Sequence, residues 1–543
     1  MNHSRTKLST PASAGTSRRE QWSRLGQRTA LVGFVLYSAF APHSIAAAEI
    51  SLAIVGAGWL VRTIATNKTG FRHTRFDLPV WLFFLWTVAS SLLSQEPRIS
   101  IAKIQSACVF LLFYLAQAIV TKKTAVLLVA VMILSGSVGT LYSIYDLIRG
   151  RGVVVVSVSP DSPLQTHLRP GDAVWRVAGQ RVYSVPDIDD AIRKSPPATD
   201  LVVSIISQGE HVERPGLVVT DTIKRRASPS GIVGGGPTHR FRASGWTRHY
   251  ETYAEILQVL AQLALGLLVA NYKNHRLNFR AKLACAGFGL LALGIALTAM
   301  RTALVALAFG VFIISLRALG SRRSRVRLRS RATVLSIAVI SLLLALGAFV
   351  VYQTRAQHAL SLQDPSSSLR VQVARVGASR IMQHPLFGHG MDSVHVHWKE
   401  WGFPGTDMLH LHSTPLQLAF DRGLPALFLW LWIMWIFWRT ASSGEKSLRD
   451  SSDTNRYGLL LGATGAVAGF FASSLVNYNF GDGEVALVFW WLMGIVVALT
   501  ISENGRDTSR LARWSCRRFN SLCLHRGIQI TSAKLRRLFA NHQ

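Results

Sequence analysis

Apolar runs of about 18 to 22 residues recur along almost the whole chain, and no other feature restricts its fold so tightly. A helix of that length crosses about 30 Å of hydrocarbon. Backbone N–H and C=O groups find no water there, so each run is expected to be a helix. Twelve runs are read, at 29–48, 50–66, 77–94, 104–120, 125–147, 252–271, 280–299, 301–319, 332–352, 415–438, 457–475 and 484–501. A hydrophobic content of 49% over 543 residues fits this better than a soluble fold. The expected fold class is an all-α polytopic membrane protein with about 12 transmembrane helices.

The net charge of +31 would point to nucleic acid in a soluble chain. Here the basic residues crowd into alternate loops: Arg18, Arg19, Arg24 and Arg28, then "NKTGFRHTR", "TKK", "NYKNHRLNFRAK", "SRRSRVRLRSR" and the C-terminal tail. All fall on one side if both termini are cytoplasmic, as the positive-inside rule requires. The arginines then orient the chain and meet anionic membrane lipids; no nucleic-acid partner is expected. The first run ends in "SIAAAE", faintly like a cleavage site, but a paired second helix favours an uncleaved anchor. The four cysteines, Cys108, Cys285, Cys516 and Cys523, have neither disulfide nor metal spacing.

Residues 150–222 do not belong to a membrane. Val153–Val158 alternates as a strand, "RPGD" is a turn, "AVWRVAG" and "LVVSIIS" are strands, and "VPDIDDAIRKS" is a short helix with Asp187 near its start. The order of "SVSPDSP", "LRPGD", "VAGQRV" and "DIDDAI" resembles a PDZ domain, a small α+β module inserted between helices five and six. Such modules bind extended peptides by strand addition, which implies an envelope protein as partner. The strand that would cradle a peptide must come from elsewhere, because the fifth helix ends just before "GVVVV". No His-Glu-x-x-His or Gly-x-Ser-x-Gly run accompanies it, which argues against a protease. The glycines 234–236 are expected to form a flexible exit.

Several charges stand where charges are costly. Arg240, Arg242 and Arg248 lie on the outer side, where the positive-inside rule does not account for them. Arg301 interrupts an apolar stretch of nearly forty residues. Arg370, Arg375 and Arg380 precede "HPLFGHG" in the outer loop 353–413. His384, His389, His395, His397, His410 and His412 follow one another in that loop. No carboxylate or cysteine cluster completes a metal site around them, so no metal and no cofactor are expected.

The segment "LRVQVARVGASRIMQHPLFGHG", followed by "HSTPLQLAFDRGLPAL", resembles the O-antigen ligase and polymerase family. The family pattern places an arginine fifteen residues before the proline of Pro-x-x-Gly-x-Gly; Arg370, Pro385, Gly388 and Gly390 fit it. His412, Leu416, Asp421 and Gly423 fit its next motif, Thr298 and Arg301 its Thr-x-Ser-Arg motif, and Arg242 and Gly245 its Arg-x-x-Gly motif. Ser413 stands where the family has Asn, and Met300 where it has Ser.

The resemblance implies a glycan carried on undecaprenyl diphosphate, handed to an acceptor on the periplasmic face of a bacterial inner membrane. The acceptor would be a glycolipid (lipid A-core), a polysaccharide or a protein. Arg242, Arg301 and Arg370 are the implied diphosphate ligands and His412 the implied base; His410, Arg240 and Asp421 are secondary candidates. A lipid or glycan transporter is the reading from a different class. The expected division is a cytoplasmic basic segment 1–28, helices 29–149, the periplasmic PDZ-like domain 150–222, a linker 223–250, helices 251–352, the catalytic loop 353–413, helices 414–501 and a cytoplasmic tail 502–543.

Overall fold

In the computed structural model, residues 18–196, 200–207, 210–273, 276–319, 365–405 and 408–500 are described. The apolar runs among them are helical. The order begins α1 (Arg18–Phe40), α2 (Ile45–Thr66), α3 (Asp77–Leu93), α4 (Pro97–Ala102), a 3₁₀ turn (Ile104–Phe110) leading into α5 (Leu111–Ile119), and α6 (Lys122–Arg149). Beyond the insert come α9 (Tyr250–Asn271), α10 (Phe279–Leu297), α11 (Arg301–Leu319), α12 (Pro365–Ile381), α13 (Ser393–Val396), α14 (Thr414–Leu448), α15 (Thr454–Ser474) and α16 (Gly483–Thr500).

Among the described residues, eight helices are long and apolar enough to cross a membrane: α2, α6, α9, α10, α11, α14, α15 and α16. The expected crossings at 77–94 and 104–120 are shorter apolar helices. The expected run 332–352 and the tail 502–543 lie outside the described residues. Helix α1 starts at Arg18, earlier than the apolar run at 29, because arginine is a good helix former and continues a helix past its apolar part. The "SIAAAE" stretch opens α2, where the Ser44 hydroxyl accepts from the Ala47 N–H.

Helices α9, α15 and α16 form the buried centre. Helices α9 and α15 meet backbone to backbone, since a Cβ on Gly266 would lie 2.4 Å from the Gly462 nitrogen. Small residues at such a crossing are how membrane helices associate without a hydrophobic drive.

The insert is a small antiparallel sheet with one flanking helix. It comprises β1 (Val153–Val158), β2 (Ala173–Val177), β3 (Gln180–Arg181), α7 (Val185–Lys194), β4 (Asp200–Ser207), β5 (Glu210–Val218), α8 (Asp221–Lys224) and β6 (Ile232–Gly234). The strand order is β5-β4-β2-β1-β6, with β3 paired to β2. A capping box at Ser184 and Asp187 starts α7. Val155, Leu164, Val174, Ile188, Ile192 and Ile205 are among the residues of the core they enclose.

The stretch expected to be a linker is part of this sheet. Strand β6 pairs with β1 from Val155 to Val158, and Arg151 bridges to Thr238. The edge of β1 is therefore occupied by the chain itself. A second cluster joins the sheet to the bundle: Ala173, Ile206 and Phe241 pack with Leu147, Val154 and Trp175. Arg151 is buried and its guanidinium bonds Asp146 at the end of α6.

Candidate functional site

The Pro-x-x-Gly-x-Gly motif has a backbone reason. Helix α14 breaks at Gly423, where φ is 78° and ψ 171°. The break leaves carbonyls and amides of residues 420–424 without helical partners, and the loop 385–390 supplies them. His389 N–H donates to Phe420 O at 2.8 Å, Gly390 N–H to Asp421 O at 3.0 Å, and Leu424 N–H to Pro385 O at 2.8 Å. A Cβ on Gly423 would stand 1.8 Å from the Leu386 oxygen. Two chains this close tolerate no side chain between them. The other side of the loop is tied to the end of α3: Gln95 N–H donates to Gly388 O at 3.3 Å and Glu96 N–H to His389 O at 3.0 Å.

That clamp sets where α14 begins, and hence where His412 stands. Ser413 caps the helix, with His412 just ahead of it in the left-handed region at φ 52°. Such a φ is costly for a residue with a side chain and persists only when its surroundings impose it. Leu411 N–H donates to Gln417 Oε1 at 2.7 Å, and Gln417 Nε2 donates to Asp421 Oδ1 at 2.8 Å. The His412 N–H donates to His410 Nδ1 at 3.3 Å, and the two rings meet edge to face at 4.5 Å. Burial, then His410, then the Arg370 charge hold the His412 imidazole down to about 3. Burial, with the Arg370 charge adding to it and Asp482 opposing, holds His410 at about 4. Both rings are neutral at pH 7, so each keeps a lone pair that can take a proton.

Arg370 reaches this place on α12. That helix packs its Val373 and Ile381 into a cluster with Trp398, Trp401, Phe403, Leu411 and Phe420. Its Gly377 lies directly against the Leu411 side chain. Arg301 is the first residue of α11, after a turn that forces Ala299 to φ 53°. Arg242 is carried alongside that turn, because Ala243 N–H donates to Leu297 O at 3.0 Å. Its guanidinium lies 4.4 Å over the Tyr250 ring.

One residue, through its side chain on one side and its main-chain carbonyl on the other, ties the arginine turn to the histidine loop. Asn477 Nδ2 donates to Thr302 Oγ1 at 3.0 Å and to Glu255 Oε1 at 2.9 Å. The Asn477 carbonyl accepts from Thr414 N–H at 3.0 Å and from Thr414 Oγ1 at 3.0 Å. Thr302 follows Arg301, and Thr414 is two residues past His412. Glu255 also accepts from Ser473 Oγ at 3.0 Å. Thr414 Oγ1 donates as well toward Asn479 Oδ1, 3.0 Å away. Sequence reading passed over "NYNFGDG" and Glu255. The signal was there: two amides and an acid in a short turn, and a carboxylate inside an apolar helix.

Backbone bonding ties the Arg242 segment to the turn before Arg301, Asn477 links Thr302, next to Arg301, with Thr414, two residues past His412, and the Arg370 charge acts on both histidines. Arg240 is exposed at the exit of the insert. Arg248, also exposed, pairs with Glu213 at 2.9 Å. Asp421 is buried and accepts from Gln417 Nε2, which links it to the loop before α14. The remaining histidines do different things. His389 is buried, with Nδ1 on Gln95 and Nε2 on the Arg380 carbonyl, and burial lowers it to about 4. His397 pairs with Glu400 at 2.7 Å and Glu96 at 3.4 Å. Among the described residues, no three His, Cys, Asp or Glu side chains gather as metal ligands would.

The O-antigen ligase family model matches residues 286–431, and those residues form a domain of that family. The match takes in Arg301, Arg370, the glycine clamp and His412, and leaves out Arg242 and the insert. No curated protein matches the chain.

Proposed function

We propose that this chain, which carries an O-antigen ligase domain, transfers a glycan from undecaprenyl diphosphate to an acceptor hydroxyl at the periplasmic face of a bacterial inner membrane. Lipid A-core is the acceptor the reading favours; a growing polysaccharide or a protein is the alternative. The observation that supports the reading is the Asn477 bridge, which joins Thr302, next to Arg301, to Thr414, two residues past His412.

The acceptor hydroxyl gives its proton to a ring nitrogen of His412 as its oxygen attacks the anomeric carbon. The bond from that carbon to the diphosphate oxygen breaks, and the diphosphate keeps the electron pair. Arg242, Arg301 and Arg370 meet the growing negative charge with planar guanidinium donors. Attack opposite the leaving group inverts the anomeric centre. No step calls on a metal.

Binding of the donor also tunes the base. The Arg370 charge is one of the causes that hold His412 down. A diphosphate lying on Arg370 offsets that repulsion, the smallest of the three causes, and so raises the imidazole part of the way.

The test is His412→Ala with purified lipid-linked donor and acceptor. Transfer should fall by about 10²- to 10⁴-fold, with insertion and thermal midpoint kept. Normal transfer by a folded variant would overturn the assignment.

A further inference from the structure

A cavity of about 810 Å³ lies between the insert and the loop that carries Arg242. Arg176 of β2, Lys194 of α7, Ser204 of β4 and Glu213 of β5 line it from the insert; Trp246 and Arg248 line it from the loop. The volume is in the range of sites that hold small ligands. Nothing in the transfer step uses these residues.

Its charge is unbalanced. Glu213 is engaged by Arg248 at 2.9 Å. Asp146 of α6 is engaged by Arg151. Arg181 donates to the Tyr142 hydroxyl at 3.3 Å. Arg176 lies 4.0 Å over the Trp175 ring, and its Nε is buried with no hydrogen-bond partner among the described residues. Burial, then the charges of Arg181, Arg151 and Arg248, bear against its protonated form, with Glu213 opposing. A protein gathers like charges this way where an anion is to be held. Trp246 adds a flat apolar surface. It stacks on Tyr142 at 4.2 Å and remains 44% exposed.

We propose that this cavity is a binding site for an acidic saccharide of the acceptor, with its carboxylate or phosphate on Arg176 and a sugar ring against Trp246. The identification as acceptor rests on the transferase reading. Trp246 is four residues from Arg242, at most about 14 Å along the chain, so a saccharide held here ends near the arginines of the reaction. The insert then selects the acceptor by charge, and the bundle performs the transfer.

The experiment uses the full chain in phosphatidylcholine nanodiscs, with trigalacturonate and neutral galactotriose as calorimetric probes. Trigalacturonate should bind at least about tenfold more tightly than galactotriose. Arg176→Gln should lose about tenfold for the acid alone, Arg176→Lys should recover part of it, and Trp246→Ala should weaken both probes. In transfer assays Arg176→Gln should raise KM for an acidic acceptor and leave kcat unchanged. Equal binding of the two probes, no binding, or an unchanged Arg176→Gln variant overturns the proposal. Loss of trigalacturonate binding when phosphatidylglycerol is added to the disc also overturns it, since the site would then belong to a lipid headgroup. A protein that binds trigalacturonate and transfers glycan to nothing would refute the transferase reading and leave the cavity as assigned.

Discussion

At one end of α11 and α14, Glu445 takes Arg317 at 2.6 Å and Arg449 at 2.9 Å, with its carboxylate fully out of solvent. Arg317 also reaches the Ser442 carbonyl at 2.9 Å. At the opposite ends of the same two helices stand Arg301 and His412. The frame there is made of amides and hydroxyls: Asn477, Asn479, Thr302 and Thr414. The buried Glu255 carboxylate there is taken up by Asn477 and Ser473. Arginine saturated by a carboxylate holds helices together. At the other end the links between the helices run through amides and hydroxyls instead. The site end also carries the non-helical backbone, at Ala299, His412 and Gly423.

The largest expected effect breaks the frame itself. Gly423→Ala puts a methyl into the Leu386 carbonyl at a left-handed φ. The loss should exceed about 4 kcal/mol, seen as little folded protein recovered from the membrane. Recovery at wild-type yield and midpoint would mean that the kink is not imposed by the glycine clamp.

Glu445→Ala tests the paired end. It leaves two arginines against an apolar neighbourhood and should cost about 3 kcal/mol. The thermal midpoint should drop while kcat of the surviving protein stays unchanged. A kcat loss would show that the two ends are not separable.

Asn477→Ala tests the site end in the converse way. The side chain joins α11 to α9, and a shift of about 1 Å between Arg301 and His412 should lower transfer by roughly 10²-fold. The midpoint should move much less than in Glu445→Ala. Equal transfer in the variant would make the bridge incidental.

The smallest effect is in pH. Unfolded histidines take up protons near 6.5, whereas His389, His410 and His412 are held at about 4, 4 and 3. Between those values the unfolded chain binds more protons. Stability from this source is complete above about 6.5 and is lost as pH falls toward 4. The thermal midpoint should decline over that window, and less so in His389→Gln. A midpoint independent of pH from 7 to 4 would refute the burial of these rings.

Much of this was present in the sequence because membranes and glycines leave coarse marks. An apolar run specifies a helix wherever water is absent, so α9, α10, α14 and α15 fall where their runs fall. The insert's strands β1, β2 and β4 could be read from alternation, and Arg301 from its cost among apolar neighbours. Glu255 and Asn477 could not be ranked, because a polar residue's value depends on partners more than 200 residues away. Strand β6 was hidden for the same reason: "IVG" among glycines has no strand signal of its own, and it exists because β1 offers it an edge.

The sequence by itself determined that the chain is helical in a membrane, that a small sheet interrupts it, and which arginines and histidines were worth asking about. Hydropathy, turn chemistry and backbone sterics act locally, so they are written locally. Only the tertiary structure decided that Asp421 bonds Gln417, that Arg240 is exposed, that Phe241 anchors the Arg242 segment in the insert, and that burial lowers His412. Each of those depends on burial and on the charge of groups brought from elsewhere in the chain, and electrostatic energy is a property of distance in space.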